Sequence, residues 1–121
     1  MARVLFVDDD PLTLETLTKA VQVFGHQAIL ASTGQEALAT ATEQSPELIF
    51  VDMSLPDMDG FALVDSLCRH EATNHIPVYM LSAGPETEMS ERAVAAGARA
   101  FLSKPIRLQT LLDVIKENTQ K

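Results

Sequence analysis

The sequence predicts an α/β domain in which helices cover both faces of a parallel β-sheet. Five short apolar runs alternate along the chain with segments of helical periodicity, which is typical of successive βα units. Two of the runs, VLFV and LIFV, have no polar residue at alternate positions. Because a strand with one exposed face would alternate, these runs indicate strands buried on both faces of a three-layer αβα sandwich.

The apolar runs give the predicted strands, and the segments between them give the helices. In two of these segments apolar residues recur every three or four positions, as on the buried face of an amphipathic helix. The first set is Leu14, Leu17, Val21 and Phe24, and the second is Leu108, Leu111, Leu112 and Ile115. The predicted strands are Arg3–Val7, Gln27–Ala31, Leu48–Val51, Val78–Leu81 and Ala100–Leu102.

Capping residues mark where the helices begin and end. Asp10 followed by Pro11 fits an N-cap with proline in the first turn, and Thr33 with Glu36 has the spacing of a capping box. The other predicted helix starts are Asp59–Gly60 and Pro85 with Glu86 and Glu88, and the predicted helix ends are Gly25 and Gly97.

The composition indicates a single acidic domain over residues 1–121. Seventeen acidic and nine basic residues give a net charge of −8, which disfavours binding to nucleic acid or to an acidic membrane surface through this domain. No apolar run approaches the ~20 residues of a membrane span, and the N-terminal run is too short for a secretory signal. Cys68 is the only cysteine, so no intramolecular disulfide forms. We expect a cytoplasmic protein.

Polar residues follow all five predicted strands at their carboxyl ends, and those after the second strand are explained by helix capping. Asp8 and Asp9 follow the first strand, Asp52 follows the third, Ser82 follows the fourth and Lys104 lies just after the fifth. Each alone has an ordinary explanation as a turn residue, a helix cap or a solvated side chain. Because parallel strands end on one edge of a sheet, where open α/β domains bind ligands, their joint occurrence predicts a functional site.

Carboxylates gathered at one edge need positive charge. Two carboxylates about 5 Å apart repel by roughly 3 kcal/mol at an effective dielectric near 20. Lys104 supplies one positive charge, and a hard divalent cation with oxygen ligands, such as Mg²⁺, suits the remainder. A carboxylate in this setting can attack a phosphoryl group, and Asp52, on the central strand, is the natural nucleophile. A Ser82 hydroxyl can then hydrogen-bond a phosphoryl oxygen.

Four motifs resemble the receiver domain of two-component response regulators, in the family's order and spacing over essentially the whole chain. VDDDP resembles the acidic pair, and VDMSLPDMDG resembles the phosphoacceptor loop. MLSA resembles the motif of the fourth strand, and AFLSKP resembles that of the fifth. The resemblance implies a flavodoxin-like (βα)5 fold with strand order 2-1-3-4-5, two helices on one face of the sheet and three on the other.

The resemblance also implies roles for individual residues. It makes Asp52 the phosphoacceptor and Lys104 the family's lysine, with a cis peptide bond before Pro105. It implies Mg²⁺ held by Asp9, Asp52, the backbone carbonyl of Ser54 and waters, with Asp8 acting partly through water. Ser82 and Phe101 take the two switch positions, where the family often has threonine and tyrosine.

By resemblance, the partner is a sensor histidine kinase or a histidine phosphotransfer protein. Phosphorylation would change the surface formed by the fourth helix, fifth strand and fifth helix, which binds a downstream protein. The domain is then not a conventional enzyme, although it promotes its own Mg²⁺-dependent phosphorylation and dephosphorylation at Asp52.

Two other functions are open to such a sequence. An aspartyl-nucleophile phosphohydrolase of the haloacid dehalogenase type needs a D-x-D motif, but Ser54 stands at its third position. A phosphorylation-independent interaction module on a receiver scaffold usually lacks the acceptor, an acidic residue or the lysine, and all are present here.

Overall fold

The computed structural model describes residues 2–83 and 86–119, which form five strands and five helices in strict alternation. The predicted strands are confirmed, and three of them extend by one polar residue, Asp52, Ser82 or Ser103. The elements are β1 (Arg3–Val7), α1 (Pro11–Val23), β2 (Gln27–Ala31), α2 (Gly34–Gln44), β3 (Leu48–Asp52), α3 (Gly60–Arg69), β4 (Val78–Ser82), α4 (Glu86–Ala96), β5 (Ala100–Ser103) and α5 (Leu108–Thr119).

The strands form one parallel sheet in the order β2-β1-β3-β4-β5, as the resemblance implies. The register places Val7 beside Val51 and Asp52 beside Leu81. The polar residues that follow β1 and those that end β3 and β4 therefore lie along one edge of the sheet, with β3 in the middle.

Alternate residues of each strand enter two separate cores, which explains why the strands lack a polar face. On one side, Leu5 and Val7 pack with buried residues of α2, α3 and α4. On the other side, Val4 and Phe6 pack with buried residues of α1 and α5. The division into three helices and two confirms the three-layer architecture.

Side-chain caps start three of the helices as the sequence predicts. The carboxylate of Asp10 accepts from Leu12 N, the hydroxyl of Thr33 accepts from Glu36 N, and the carboxylate of Asp59 accepts from Ala62 N. The predicted start at Pro85 lies outside the described residues. None of the helices in the described ranges combines the length and the apolar character that crossing a membrane requires.

Helix α3 begins unusually close to the end of β3. The Gly60 amide donates to the carbonyl of Met53 at 2.6 Å, and a Cβ added at Gly60 would lie 2.6 Å from the carbonyl oxygen of Asp52. No side chain fits between these two segments of backbone. Glycine at position 60 therefore allows α3 to start where it supports the strand that carries Asp52.

Replacing Gly60 by alanine should destabilise the fold, because the new methyl group meets backbone that cannot move aside. We expect a loss of about 1–3 kcal/mol in the free energy of unfolding, typical of overpacking. Urea denaturation followed by far-UV circular dichroism measures it, since the chain has no tryptophan. Gly34→Ala is the matched control.

Gly34, like Gly60, is the first residue of its helix, but a Cβ there would meet only the flexible side chain of Met58. Its replacement should cost clearly less than that of Gly60. Equal losses for the two variants would show that the approach of α3 to β3 is not the constraint.

Candidate functional site

Three carboxylates meet at the carboxyl edge of the sheet. Asp8 and Asp9 follow β1, Asp52 ends β3, and carboxylate oxygens of the three lie within 4.8 Å of one another. Asp8 is buried, with 3% of its surface exposed, whereas Asp9 faces solvent and Asp52 is intermediate. The parallel topology thus brings together acidic residues that are more than 40 positions apart in the sequence.

Lys104 joins two of these carboxylates. Its ammonium nitrogen lies 2.7 Å from Asp8 Oδ2 and 2.8 Å from Asp52 Oδ1, and its side chain is 25% exposed. The backbone amide of Lys104 donates to the carbonyl of Ser82 at 2.9 Å, and the Lys104–Pro105 peptide bond is cis. The residue after β5 is therefore fixed against the end of β4 with its side chain directed toward the ends of β1 and β3.

Opposing effects set the protonation equilibria of this ion triad. Burial raises the pKa of Asp52, and the charge of Asp8 adds to this effect, while the hydrogen bond from Lys104 offsets part of it. Burial alone would lower the pKa of Lys104, but hydrogen bonds to Asp52 and Asp8 outweigh it and raise that pKa. The lysine is thus held in its charged form, while the Asp52 carboxylate remains costly to ionise.

The remaining ligand groups suit a hard divalent cation. Three carboxylates face one ammonium, so positive charge is still lacking within the cluster. Among the residues that the structure describes, the exposed Asp9 carboxylate has no hydrogen bond or ion pair that would compete with a metal. Ser54, which is exposed, stands two residues after Asp52. An all-oxygen set of this kind, open to water on one side, fits Mg²⁺.

The two predicted switch residues lie on the neighbouring strands β4 and β5. Ser82 ends β4, beside Ser103 of β5, and only 5% of its surface is exposed. Phe101 is also 5% exposed, and its ring lies in the core beneath α2, α3 and α4. Both residues are therefore buried, Ser82 at the edge that carries Asp52 and Phe101 within the sheet.

Asp57 has a structural role that was not predicted from the sequence. The Asp57 carboxylate accepts hydrogen bonds from the backbone amides of Gly34 and Gln35, at the start of α2. One signal was present: Thr33 can cap only one of the first amides of α2, so others need partners. The sequence does not reveal which distant residue supplies them.

Comparison with known proteins gives a family match over almost the whole chain. Residues 4–116 match the response regulator receiver domain. The chain is 32% identical over 115 residues to protein PilH of Pseudomonas aeruginosa, with 95% of each chain covered. It is also 32% identical over 113 residues to the polar-differentiation response regulator DivK of Brucella ovis, covering 93% of this chain and 92% of that protein.

Solved structures agree in fold and in coverage. A putative response regulator from Chloroflexus aurantiacus superposes with a TM-score of 0.92 at 29% identity, covering 99% of this chain and 98% of the other. The chemotaxis protein CheY4 of Vibrio cholerae gives a TM-score of 0.89 at 30% identity, with 98% of both chains covered. With its parallel five-stranded sheet and the match over residues 4–116, this chain belongs to the receiver domain family of two-component response regulators.

Proposed function

We propose that this receiver domain accepts a phosphoryl group on Asp52 from a phosphohistidine donor, with Mg²⁺ bound at the same edge. One observation carries the proposal: Lys104 bridges Asp8 and Asp52 at the ends of separate strands. A partly buried ion triad that includes a carboxylate with a raised pKa is costly for a purely structural role.

In the proposed reaction, a carboxylate oxygen of Asp52 attacks phosphorus in line with the leaving group. A new O–P bond forms while the P–N bond of the phosphohistidine breaks, and the imidazole leaves as a neutral ring after taking up a proton. The ammonium of Lys104 balances negative charge on the transferred oxygens. The hydroxyl of Ser82, at the end of the adjacent strand β4, donates a hydrogen bond to one of these oxygens.

Mg²⁺ would be held by Asp9, Asp52 and the backbone carbonyl of Ser54, with Asp8 acting partly through water. When bound, the ion supplies the positive charge that the carboxylates and the phosphoryl oxygens lack. Asp8 keeps Lys104 in place, since its Oδ2 accepts from that ammonium while its Oδ1 accepts from the Asp10 amide at 3.0 Å. Hydrogen bonds within the protein therefore order part of the proposed site.

The proposed phosphoryl donor is a sensor histidine kinase or a histidine phosphotransfer protein. An apolar hollow of about 420 Å³ lies beside Lys104, lined by the start of α1 and the segment after β5, and Leu12 on its rim is 69% exposed. Such a surface suits the apolar side chains of a docking protein. A sensor histidine kinase takes its phosphoryl group from ATP, so we place the protein in the cytoplasm, where ATP is present.

Phosphorylation would be transmitted through Ser82 and Phe101. Rearrangement of Ser82 toward the phosphoryl group would free space near Phe101, whose buried ring adjoins α4. The downstream protein would then bind the face formed by α4, β5 and α5, where Val94 and Leu108 are 54% and 46% exposed. As a signalling module, the domain is not a conventional enzyme, and the chemistry at Asp52 serves the switch.

Incubation with acetyl phosphate and Mg²⁺ tests the acceptor. Intact mass spectrometry should show one added phosphate on the wild type, none on Asp52→Asn, and none after chelation of the metal. Asp65→Asn is the matched control, because Asp65 lies on α3, outside the site, and pairs with Arg69. It should be labelled like the wild type.

Two results would contradict the proposal. Labelling of Asp52→Asn to the wild-type extent would show that another residue accepts the phosphoryl group. A wild-type protein that takes no phosphate from acetyl phosphate and none from a phosphohistidine donor would leave only the phosphorylation-independent interaction module.

The raised pKa of Asp52 gives a second, independent prediction. A folded-state pKa above the ordinary value of 3.8 means that the native state loses stability as pH rises through that pKa. Without Mg²⁺, Asp52→Asn should therefore have a higher midpoint of thermal unfolding than the wild type at pH 7. The gain should shrink as the pH is lowered toward 4.

Circular dichroism melts at several pH values measure this difference. Added Mg²⁺ should raise the midpoint of the wild type and leave that of Asp52→Asn nearly unchanged, because binding to the native state alone stabilises it. An Asp52→Asn protein that is less stable than the wild type at pH 7 would show that the carboxylate is a net stabilising member of the triad.

A further inference from the structure

The loop between β3 and α3 is hydrogen-bonded to α2, a helix that contributes no residue to the carboxylate cluster. At the tip of this loop, Asp57 Oδ1 accepts from Gly34 N at 2.7 Å and Oδ2 accepts from Gln35 N at 2.9 Å. Both oxygens of one carboxylate thus bind consecutive amides at the first turn of α2. The two partners are more than 20 residues from Asp57 in the sequence.

The amides of Gly34 and Gln35 lie at the helix start, where they can donate to a group outside the helix. The first turn of a helix has amides without intrahelical acceptors, and the Thr33 hydroxyl uses only that of Glu36. A carboxylate at this end of a helix also interacts favourably with the helix dipole. Hydrogen bonds from the backbone amides of Gly34 and Gln35 lower the pKa of Asp57. Its carboxylate is therefore charged at neutral pH and can accept both hydrogen bonds.

The contact with α2 extends beyond the two hydrogen bonds of Asp57. Met58 packs against Gly34, where a Cβ would lie 2.4 Å from its sulfur. On its other side, the loop borders an open hollow of about 510 Å³, with Arg92 of α4 over the ring of Phe61 across it. The tip therefore has solvent on one side and the start of α2 on the other.

The base of the same loop holds the site. A β-bridge joins Ser54 to Asp59, and the Gly60 amide donates to the Met53 carbonyl. The loop begins directly after Asp52 and is closed at its base by this bridge, so Ser54 and Asp57 belong to one short closed segment. The two hydrogen bonds from Asp57 to α2 restrain the backbone of this loop at the end opposite the bridge.

We propose that Asp57 is a positioning residue, whose carboxylate fixes the β3–α3 loop on α2 and so holds the Ser54 carbonyl beside Asp52 for Mg²⁺. This inference rests on the proposed function, because that function assigns the Ser54 carbonyl to the metal. Asp57 itself is no ligand. Its effect is that the loop need not become ordered when the metal binds.

The test compares two variants that each remove a cap from α2. Asp57→Ala removes the tie from the loop, while Thr33→Ala removes the helix's own cap and leaves the loop untouched. Both should lower stability, since each leaves amides of α2 without a partner. Binding of Mg²⁺ to each intact protein is measured by isothermal titration calorimetry.

We expect Asp57→Ala to bind Mg²⁺ about tenfold more weakly than the wild type, as for residues that orient metal ligands from outside the ligand set. Thr33→Ala should retain the wild-type affinity. Asp57→Asn, which keeps one oxygen acceptor, should fall between the two. At saturating Mg²⁺, Asp57→Ala should be labelled by acetyl phosphate to the wild-type extent.

Hydrogen exchange of the Gly60 backbone amide can be followed by NMR in metal-free protein. It tests the role of Asp57 independently of the proposed function. Exchange should be faster in Asp57→Ala and unchanged in Thr33→Ala. If the wild type bound no Mg²⁺, the metal assignment would fail, and faster exchange in Asp57→Ala alone would still support the restraint on the loop. Equal affinities or equal exchange rates for Asp57→Ala and Thr33→Ala would overturn the role of Asp57.

Discussion

The bridge that Lys104 makes between Asp8 and Asp52 is the interaction on which the site depends. Its two contacts, at 2.7 and 2.8 Å, join residues at the ends of β1, β3 and β5. Charge-assisted hydrogen bonds of this length are strong and directional, so they orient Asp52 as well as partly neutralising it. The cluster is still short of positive charge, and this deficit makes a divalent cation a suitable ligand. A bound cation together with Lys104 would then balance the charge of an incoming phosphoryl group.

The fold supplies the rigidity that such a cluster needs. Parallel strands buried on both faces end at one edge, and the register holds β3 between β1 and β4. Around Asp52, Gly60 lets α3 approach the strand end, and Asp57 attaches the following loop to α2. Repulsion between the carboxylates and their desolvation oppose folding at the site. Burial of apolar side chains in the two cores offsets this cost.

The sequence predicts the elements well, because their signals are local. Apolar runs locate the strands, and capping side chains such as Asp10 and Thr33 locate helix starts. The gathering of Asp8, Asp52 and Lys104 at one edge was also predictable, since parallel strands share their carboxyl edge. The strand order came from family resemblance. The tie from Asp57 to α2 was not predictable, because it depends on how a loop and a distant helix pack. Glu36 shows the same limit: its carboxylate accepts from Ser32 N, although a capping box directs it to Thr33.

Among the three clustered carboxylates, the proposed nucleophile is that of Asp52. The most direct measurement is to reduce the phosphorylated protein with borohydride, which converts an aspartyl phosphate to homoserine, and to locate the product by peptide mass spectrometry. We expect homoserine at position 52 and intact aspartate at positions 8 and 9. Homoserine at position 8 or 9, with aspartate retained at position 52, would contradict this assignment.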